Sequence, residues 1–391
     1  MKQLKIKDWI LIGVLSFSLG LAAPHISKWF KGDSSAAQAE QGESNGAIST
    51  SPFCIKLLHT ALQAQPQGNM VLLPDSLASN LYYMRHYASD EVAAEIDALE
   101  LPEHVQQSNA PIYDAAYLFA EDSGIILPRP LPEHLFDTPF SQSPADAIAQ
   151  VNNAVKSYTN AEIGQLITGD TITPDTAVLS ASVVTLSTTL PGAGTTAAPI
   201  QFSNANGSMP RVRAFAAYAR HFAKDEQGEW QAVAVQLPSV PGADHQLPSC
   251  HLILILPSSG TSARPFAAAL TAEKLTAIRT ALQQSTTACT VEMPSLTFRS
   301  PTQNLIPLLR QLGTEKLLST AAPFPKLSAK AAYPLSNVLQ KYNISLRPAA
   351  TVNTQPLPTT EKLSCDCPFL WLLMPLASPD APYAMGIVEN L

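Results

Sequence analysis

The chain is short of charge, of paired cysteines and of motif chemistry, and each shortage excludes something. Only 14% of its 391 residues are charged, with 24 Lys and Arg against 31 Asp and Glu and a formal net charge of −7. Cations so few and so scattered cannot form the basic stripe that a nucleic-acid surface needs. The five cysteines (Cys54, Cys250, Cys289, Cys365, Cys367) are an odd number in a long chain, which is not the pattern of a disulfide scaffold. They form no Cys-x-x-Cys pair. His245 and His251 flank Cys250 at a spacing that fits no common metal site, so the cysteines read mainly as small buried hydrophobes and no metal is expected. No Gly-x-Ser-x-Gly turn, His-Glu-x-x-His pair, phosphate-binding loop or glycine-rich dinucleotide turn occurs, so the residues imply neither an enzyme nor a cofactor. A lone His221 or His251 reads as structural.

What is present begins at the N-terminus. Lys2, Lys5 and Lys7 precede an apolar run from Trp9 to Ala23, the charged region and hydrophobic core of an export signal. The run is short for a bilayer span, which takes about 20 apolar residues. Gly20-Leu21-Ala22 offers a small-x-small cleavage site. Lys28, Lys31, Ile26, Trp29 and Phe30 leave a retained anchor open as well. Residues 1–31 are therefore expected to be a signal peptide or membrane anchor, placing the protein in the periplasm or outside the cell. Any membrane contact is expected through this segment alone. Residues 32–51 are small and polar, the composition of a flexible linker. From residue 52 to 391 the pattern is globular.

Within that stretch, helical spacing predicts helices over Phe53–Gln63, from Asp75 or Ser76 to Tyr87, and over Glu91–Leu99, Ala145–Ser157, Ala272–Gln283 and Thr302–Leu312. Gly313 stops the last of these. Strands are predicted over Asn69–Pro74, Asp175–Leu190, Phe215–Phe222, Gln231–Leu237, His251–Pro257, Cys289–Phe298, Phe369–Leu376 and Tyr383–Val388. Asn206-Gly207 signals a turn. Two Asn-x-Ser sequons, at Asn206 and Asn343, matter only in a glycosylating host. Helices and strands mix without strict alternation, so the fold class is α+β.

The order of these segments resembles the serpin family. Asn69–Leu77 (NMVLLPDSL) is similar to the family's passage from a buried strand into a long helix. Val151–Ile163 (VNNAVKSYTNAEI) is similar to a helix ending in a Thr-Asn-Gly turn, with Ala161 where glycine is usual. Val291–Leu296, Pro368–Leu372 and Met385–Val388 continue the likeness collinearly over about Phe53–Leu391. The resemblance implies one domain over residues 52–391, with mixed helices around three β-sheets and an exposed C-terminal loop between strands. It also implies a monomer that inhibits a serine or cysteine endopeptidase.

The same resemblance assigns the reactive loop to Ala350, Thr351, Val352, Asn353, Thr354, Gln355, Pro356, Leu357, Pro358, Thr359, Thr360, Glu361 and Lys362, after the strand Leu335–Leu346. Family inhibition requires that this loop, once cut, insert as a new central strand. Here Pro348 and Ala349 stand where acidic residues are usual, and Pro356 and Pro358 cannot donate ladder hydrogen bonds. Thr351 and Pro368 lie only 17 positions apart, fewer than inhibitory members provide. The family's buried Ser, Asn and His beneath the sheet correspond to Leu73, Ala181 and Gln340. That correspondence predicts the loss of the polar cluster as a unit and a sheet that stays shut. The alternative function is a non-inhibitory exported binding or structural module.

Overall fold

Long apolar runs need cover on both faces, and the chain supplies it by arranging helices around several sheets. The structure, a computed structural model, describes residues 48–102, 110–190, 199–240, 248–258, 262–348, 359–377 and 381–391. The export-segment reading and most of the linker reading (residues 32–47) lie outside the described residues. Those described belong to one compact unit, Gly46–Leu391.

The described residues open with helix Pro52–Ala64 (α1), strand Met70–Leu72 (β1), and helices Pro74–Tyr87 (α2) and Asp90–Asp97 (α3). Strands Ile112–Glu121 (β2) and Leu135–Thr138 (β3), helix Pro144–Tyr158 (α4) and the long strand Val178–Leu190 (β4) follow. Next come β5 (Ile200–Gln201), β6 (Arg211–Val212), β7 (Ala214–Ala219), β8 (His221–Lys224), β9 (Trp230–Gln236) and β10 (Cys250–Pro257). Helices α5 (Ala263–Ala268) and α6 (Ala272–Gln284) lead to β11 (Cys289–Pro294), β12 (Leu296–Arg299) and β13 (Gln303–Asn304). Helices α7 (Ile306–Leu312) and α8 (Glu315–Ser319) precede β14 (Leu335–Pro348), β15 (Glu361–Ser364), β16 (Phe369–Pro375) and β17 (Ala384–Val388).

Three sheets organise the core. One six-stranded sheet runs β1-β17-β16-β10-β9-β8, and a three-stranded sheet runs β15-β11-β7. The central sheet runs β12-β14-β4-β2-β3, with β13 paired to β14. Its long members β14 and β4 are parallel neighbours, and β2 and β4 are antiparallel. On one face of the central sheet, Ala147, Val151 and Val155 of α4 pack on Phe119, Leu179, Ala181, Val183 and Leu339. On the other face lies the larger cluster built on α1 and α2. A third cluster fills the space among the remaining strands, with Trp371 stacked on Phe298 at 4.8 Å.

Several sequence expectations are redrawn. Pro74 stands in the first turn of α2 with Leu73 at the cap position, so neither Asp75 nor Ser76 caps the helix. The run Phe215–Phe222 divides at Arg220 between β7 and β8, which pair in different sheets. Cys289–Phe298 likewise divides between β11 and β12, because Pro294 ends one ladder before Ser295 turns the chain into the other. The C-terminal part of Thr302–Leu312 is helical, ending on Gly313 at φ 96°, whereas Gln303 and Asn304 pair with β14. The turn at Gly207 has φ 83°, and Asn206 Oδ1 accepts the Ser208 N–H at 2.9 Å. β2 and β3 were invisible as strands. β2 is partly open at its start, where Tyr113 is exposed, and buried in succession from Leu118 to Glu121, so it lacks the alternation that marks a half-exposed strand.

Gly386 of β17 lies between β1 and β16, where a Cβ would come within 3.0 Å of the Trp371 indole nitrogen and closer still to the Met70 carbonyl oxygen. Gly386→Ala is expected to cost roughly 1–3 kcal/mol or more as overpacking between fixed strands, read as a lower urea midpoint with unchanged slope.

Candidate functional site

The candidate site is the connection between β14 and β15, together with the seam between β14 and β4 that it would have to enter. β14 pairs with β4 along its full length, from Leu335 opposite Val178 to Pro348 opposite Leu190. No strand lies between them. Pro348, without an N–H, is the last residue of the ladder.

The far end of the connection is fastened to the three-stranded sheet. β15 runs parallel to β11, and the Cys365 N–H donates to the Glu292 carbonyl at 2.7 Å. The Thr359 and Thr290 hydroxyls meet at 2.8 Å, and Lys362 pairs with Glu292 at 2.9 Å. That ion pair is partly exposed and contributes little by itself. Leu363 supplies the hold, buried in the apolar cluster beside Val291.

Of the reactive-loop residues expected from the sequence, Ala350, Thr351, Val352, Asn353, Thr354, Gln355, Pro356, Leu357 and Pro358 lie outside the described residues. Thr359 and Thr360 lead into β15. Glu361 and Lys362, expected in the loop, are instead its first two residues. Four residues with two charges carry no readable strand pattern, and only the register against β11 identifies them.

On its outer face the seam is strapped. After α4 the chain crosses from β4 towards β14 and β12 through residues 159–173. Asn152 Oδ1 accepts the N–H groups of Leu166 (2.7 Å) and Ile167 (3.0 Å). Lys341 of β14 donates to the Gln165 carbonyl at 2.7 Å, and Asn343 donates to the Glu162 carboxylate at 2.8 Å. Thr302 donates to the Leu166 carbonyl at 2.6 Å, and Asn337 of β14 to the Thr171 carbonyl at 3.1 Å. Separating β14 from β4 breaks several of these bonds. Between strap and strands lies an open polar cleft of about 450 Å³ that includes Arg299 and Lys341. The strap starts in a left-handed turn, with Asn160 at φ 48° and Ala161 at φ 63°. The Asn343 sequon sits in this bonded region of β14, while the Asn206 sequon is on an exposed turn.

Beneath the sheet a polar layer persists, contrary to the loss expected from Leu73, Ala181 and Gln340. Leu73 is buried among apolar groups and Ala181 faces α4. Gln340 is buried on the opposite face, in register with Ser182. From α2, the Asn80 amide donates to the Ala181 carbonyl at 2.9 Å and to Ser182 Oγ at 2.7 Å, with both side chains fully buried. The cluster has been rebuilt one residue along β4 and about two turns along α2.

No disulfide joins the cysteines; four are buried and Cys367 is half-buried. Burial pushes the Cys54 thiol up to about 12 and Cys289 to about 11, so neither serves as a thiolate nucleophile. Burial, with His221 beside it, lowers His251 to about 4, and His221 is tied to the Ser285 carbonyl at 3.0 Å. His245 lies outside the described residues.

A mixed fold with three sheets, two long parallel strands side by side, and a connection leaving one of them for another sheet defines the serpin architecture. The family model described as Serpin (serine protease inhibitor) matches residues 132–390, and the chain belongs to this family. Among solved structures, Manduca sexta serpin-12 is similar at 16% identity with a TM-score of 0.71, over 87% of this chain and 98% of that one. Uncleaved ovalbumin is similar at 18% identity and a TM-score of 0.72, over 89% and 100% of the two chains. The thermophilic serpin tengpin in its native state is similar at 17% identity and 0.69, over 91% and 96%. At such identities these likenesses establish the fold alone. No curated protein matches the chain.

Two substitutions test the seam's supports. Asn80→Ala leaves the Ser182 hydroxyl and Ala181 carbonyl without their amide and is expected to lower stability by about 1–3 kcal/mol in urea melts. Ala161→Gly removes the left-handed strain that alanine bears and is expected to raise stability by roughly 0.5–1 kcal/mol in the same assay.

Proposed function

We propose that this serpin presents residues 349–360 to an endopeptidase as a substrate-like bait and does not complete strand insertion, so that trapping is weak or absent. The family's general activity supports the first half. The second half rests on one observation: the connection is shorter than the seam. β4 offers 13 residues, a span of about 43 Å at 3.3 Å per residue. Only 12 residues separate Pro348 from Glu361, and some must be used in folding back as an antiparallel strand. A cut after Leu357 leaves nine on the β14 side, with Pro356 among them. Such a segment spans about 30 Å before any allowance for the turn, too little to carry an attached protease from one end of the sheet to the other.

The closed, strapped seam also favours a second reading, a non-inhibitory exported binding or structural module. In either case residues 1–31 are read as the export segment and the protein as a monomer. Among the described residues no helix is long and apolar enough to cross a membrane.

The deciding experiment melts the full chain before and after limited proteolysis within residues 349–360, alongside a panel of serine and cysteine endopeptidases. Little or no rise in Tm and no SDS-stable adduct are expected. A rise of tens of degrees, or an adduct that survives SDS, shows insertion and overturns the proposal. Rapid cleavage without inhibition supports the bait reading, and resistance to every protease supports the binding module.

A further inference from the structure

The polar cleft between the strap and the strands has a floor built from β12 and β14. Arg299 stands opposite Asn343 in their antiparallel register, and Lys341 lies two residues before Asn343. Side chains two apart on a strand share a face, so all three project from the same side of the sheet. That side is the strap's, because Lys341 donates to the Gln165 carbonyl at 2.7 Å and Asn343 to the Glu162 carboxylate at 2.8 Å. Arg299 Nε in turn donates to Asn343 Oδ1 at 3.2 Å.

These bonds orient the side chains and leave most of their donors unspent. Arg299 uses one of its five N–H groups, so the edge formed by its two Nη atoms has no acceptor. Lys341 uses one of three. Among the described residues neither cation belongs to an ion pair. Ser300, 9% exposed in the cleft wall, accepts the Tyr342 N–H at 3.0 Å, and its own hydroxyl proton has no acceptor. Against these donors stands one carboxylate in the lining, Glu162, whose Oε2 already accepts from Asn343. Two cations thus meet one anion here, in a protein of net charge −7.

Unspent donors around about 450 Å³ of open space suit a ligand rich in acceptors, and that volume is within the usual range for small molecules. An arginine held by Nε presents its end-on fork, which matches two oxygens of a carboxylate or a phosphate. Lys341 is diagonal to Arg299 across the ladder, roughly 7–8 Å away, and so reaches a second negative group.

We propose that this cleft binds a compact dianion, either a phosphomonoester or a dicarboxylic acid. Arg299 grips one anionic end through its free fork, Lys341 neutralises the second charge, and Glu162 limits affinity by repulsion. The bound anion touches β12, β14 and the strap together, so it adds a bridge across the outer cover of the seam. Occupancy therefore holds the closed sheet, since a ligand stabilises the form that binds it. The site does not depend on whether the cut connection after Pro348 inserts.

Calorimetric titration of the full chain with sodium phosphate and, separately, with succinate tests this, against sodium chloride at matched ionic strength. Saturable one-to-one binding of at least one probe is expected, with a Kd of about 1 mM or lower and a rise in Tm. Preference for phosphate assigns the ligand to the phosphomonoesters, and preference for succinate assigns it to the dicarboxylic acids. Arg299→Gln and Lys341→Gln are each expected to weaken binding roughly tenfold or more, and Arg299→Lys to recover only part of the loss because it lacks the fork. Glu162→Gln keeps an oxygen for Asn343, removes the repelling charge and is expected to bind more tightly. Failure of both probes to saturate, binding undiminished in Arg299→Gln, or a Glu162→Gln chain that binds no tighter overturns the proposal.

Discussion

The parallel pairing of β14 with β4 governs the rest of the molecule. Thirteen residues of β4 are matched without an intervening strand, and β4 is buried except at Ser187 and Thr189. Parallel neighbours cannot be joined by a tight turn, so the chain reaches β14 from β4 only after building most of the other sheets. Whatever enters between them must break that ladder and the bonds of the strap crossing it.

Three supports hold the seam from different directions. The strap contributes side-chain-to-backbone bonds from Lys341, Asn337 and Thr302 on the outer face. Asn80 ties α2 to β4 from within, where low dielectric makes a satisfied polar contact strong and an unsatisfied one costly. Asp114 belongs to the same interior, yet its carboxylate has no donor. The connection begins after Pro348, at one end of this ladder. Its reach is limited by residue count and by the anchorage of β15 on β11.

Much of the fold was legible in the sequence because it depends on local rules. α1, α4 and α6 show helical spacing, β10 and β16 are unbroken apolar runs, and Gly207 and Gly313 sit where a positive φ is required. The collinear likeness to serpins also depends on segment order alone. The short length of the connection and its prolines were equally plain, because counting needs no coordinates.

What the sequence by itself determined, then, is most of the longer elements, their order and the residue count of the connection. Tertiary structure alone decided where continuous runs divide between sheets, since Arg220 and Pro294-Ser295 mark exchanges of partner that no periodicity records. It decided that Glu361 and Lys362 belong to a strand, because four residues become one only when β11 lies beside them. It also restored the polar layer that residue-by-residue correspondence had removed. Asn80 and Ser182 lie 102 positions apart, and their hydrogen bond exists only where packing presses α2 against β4.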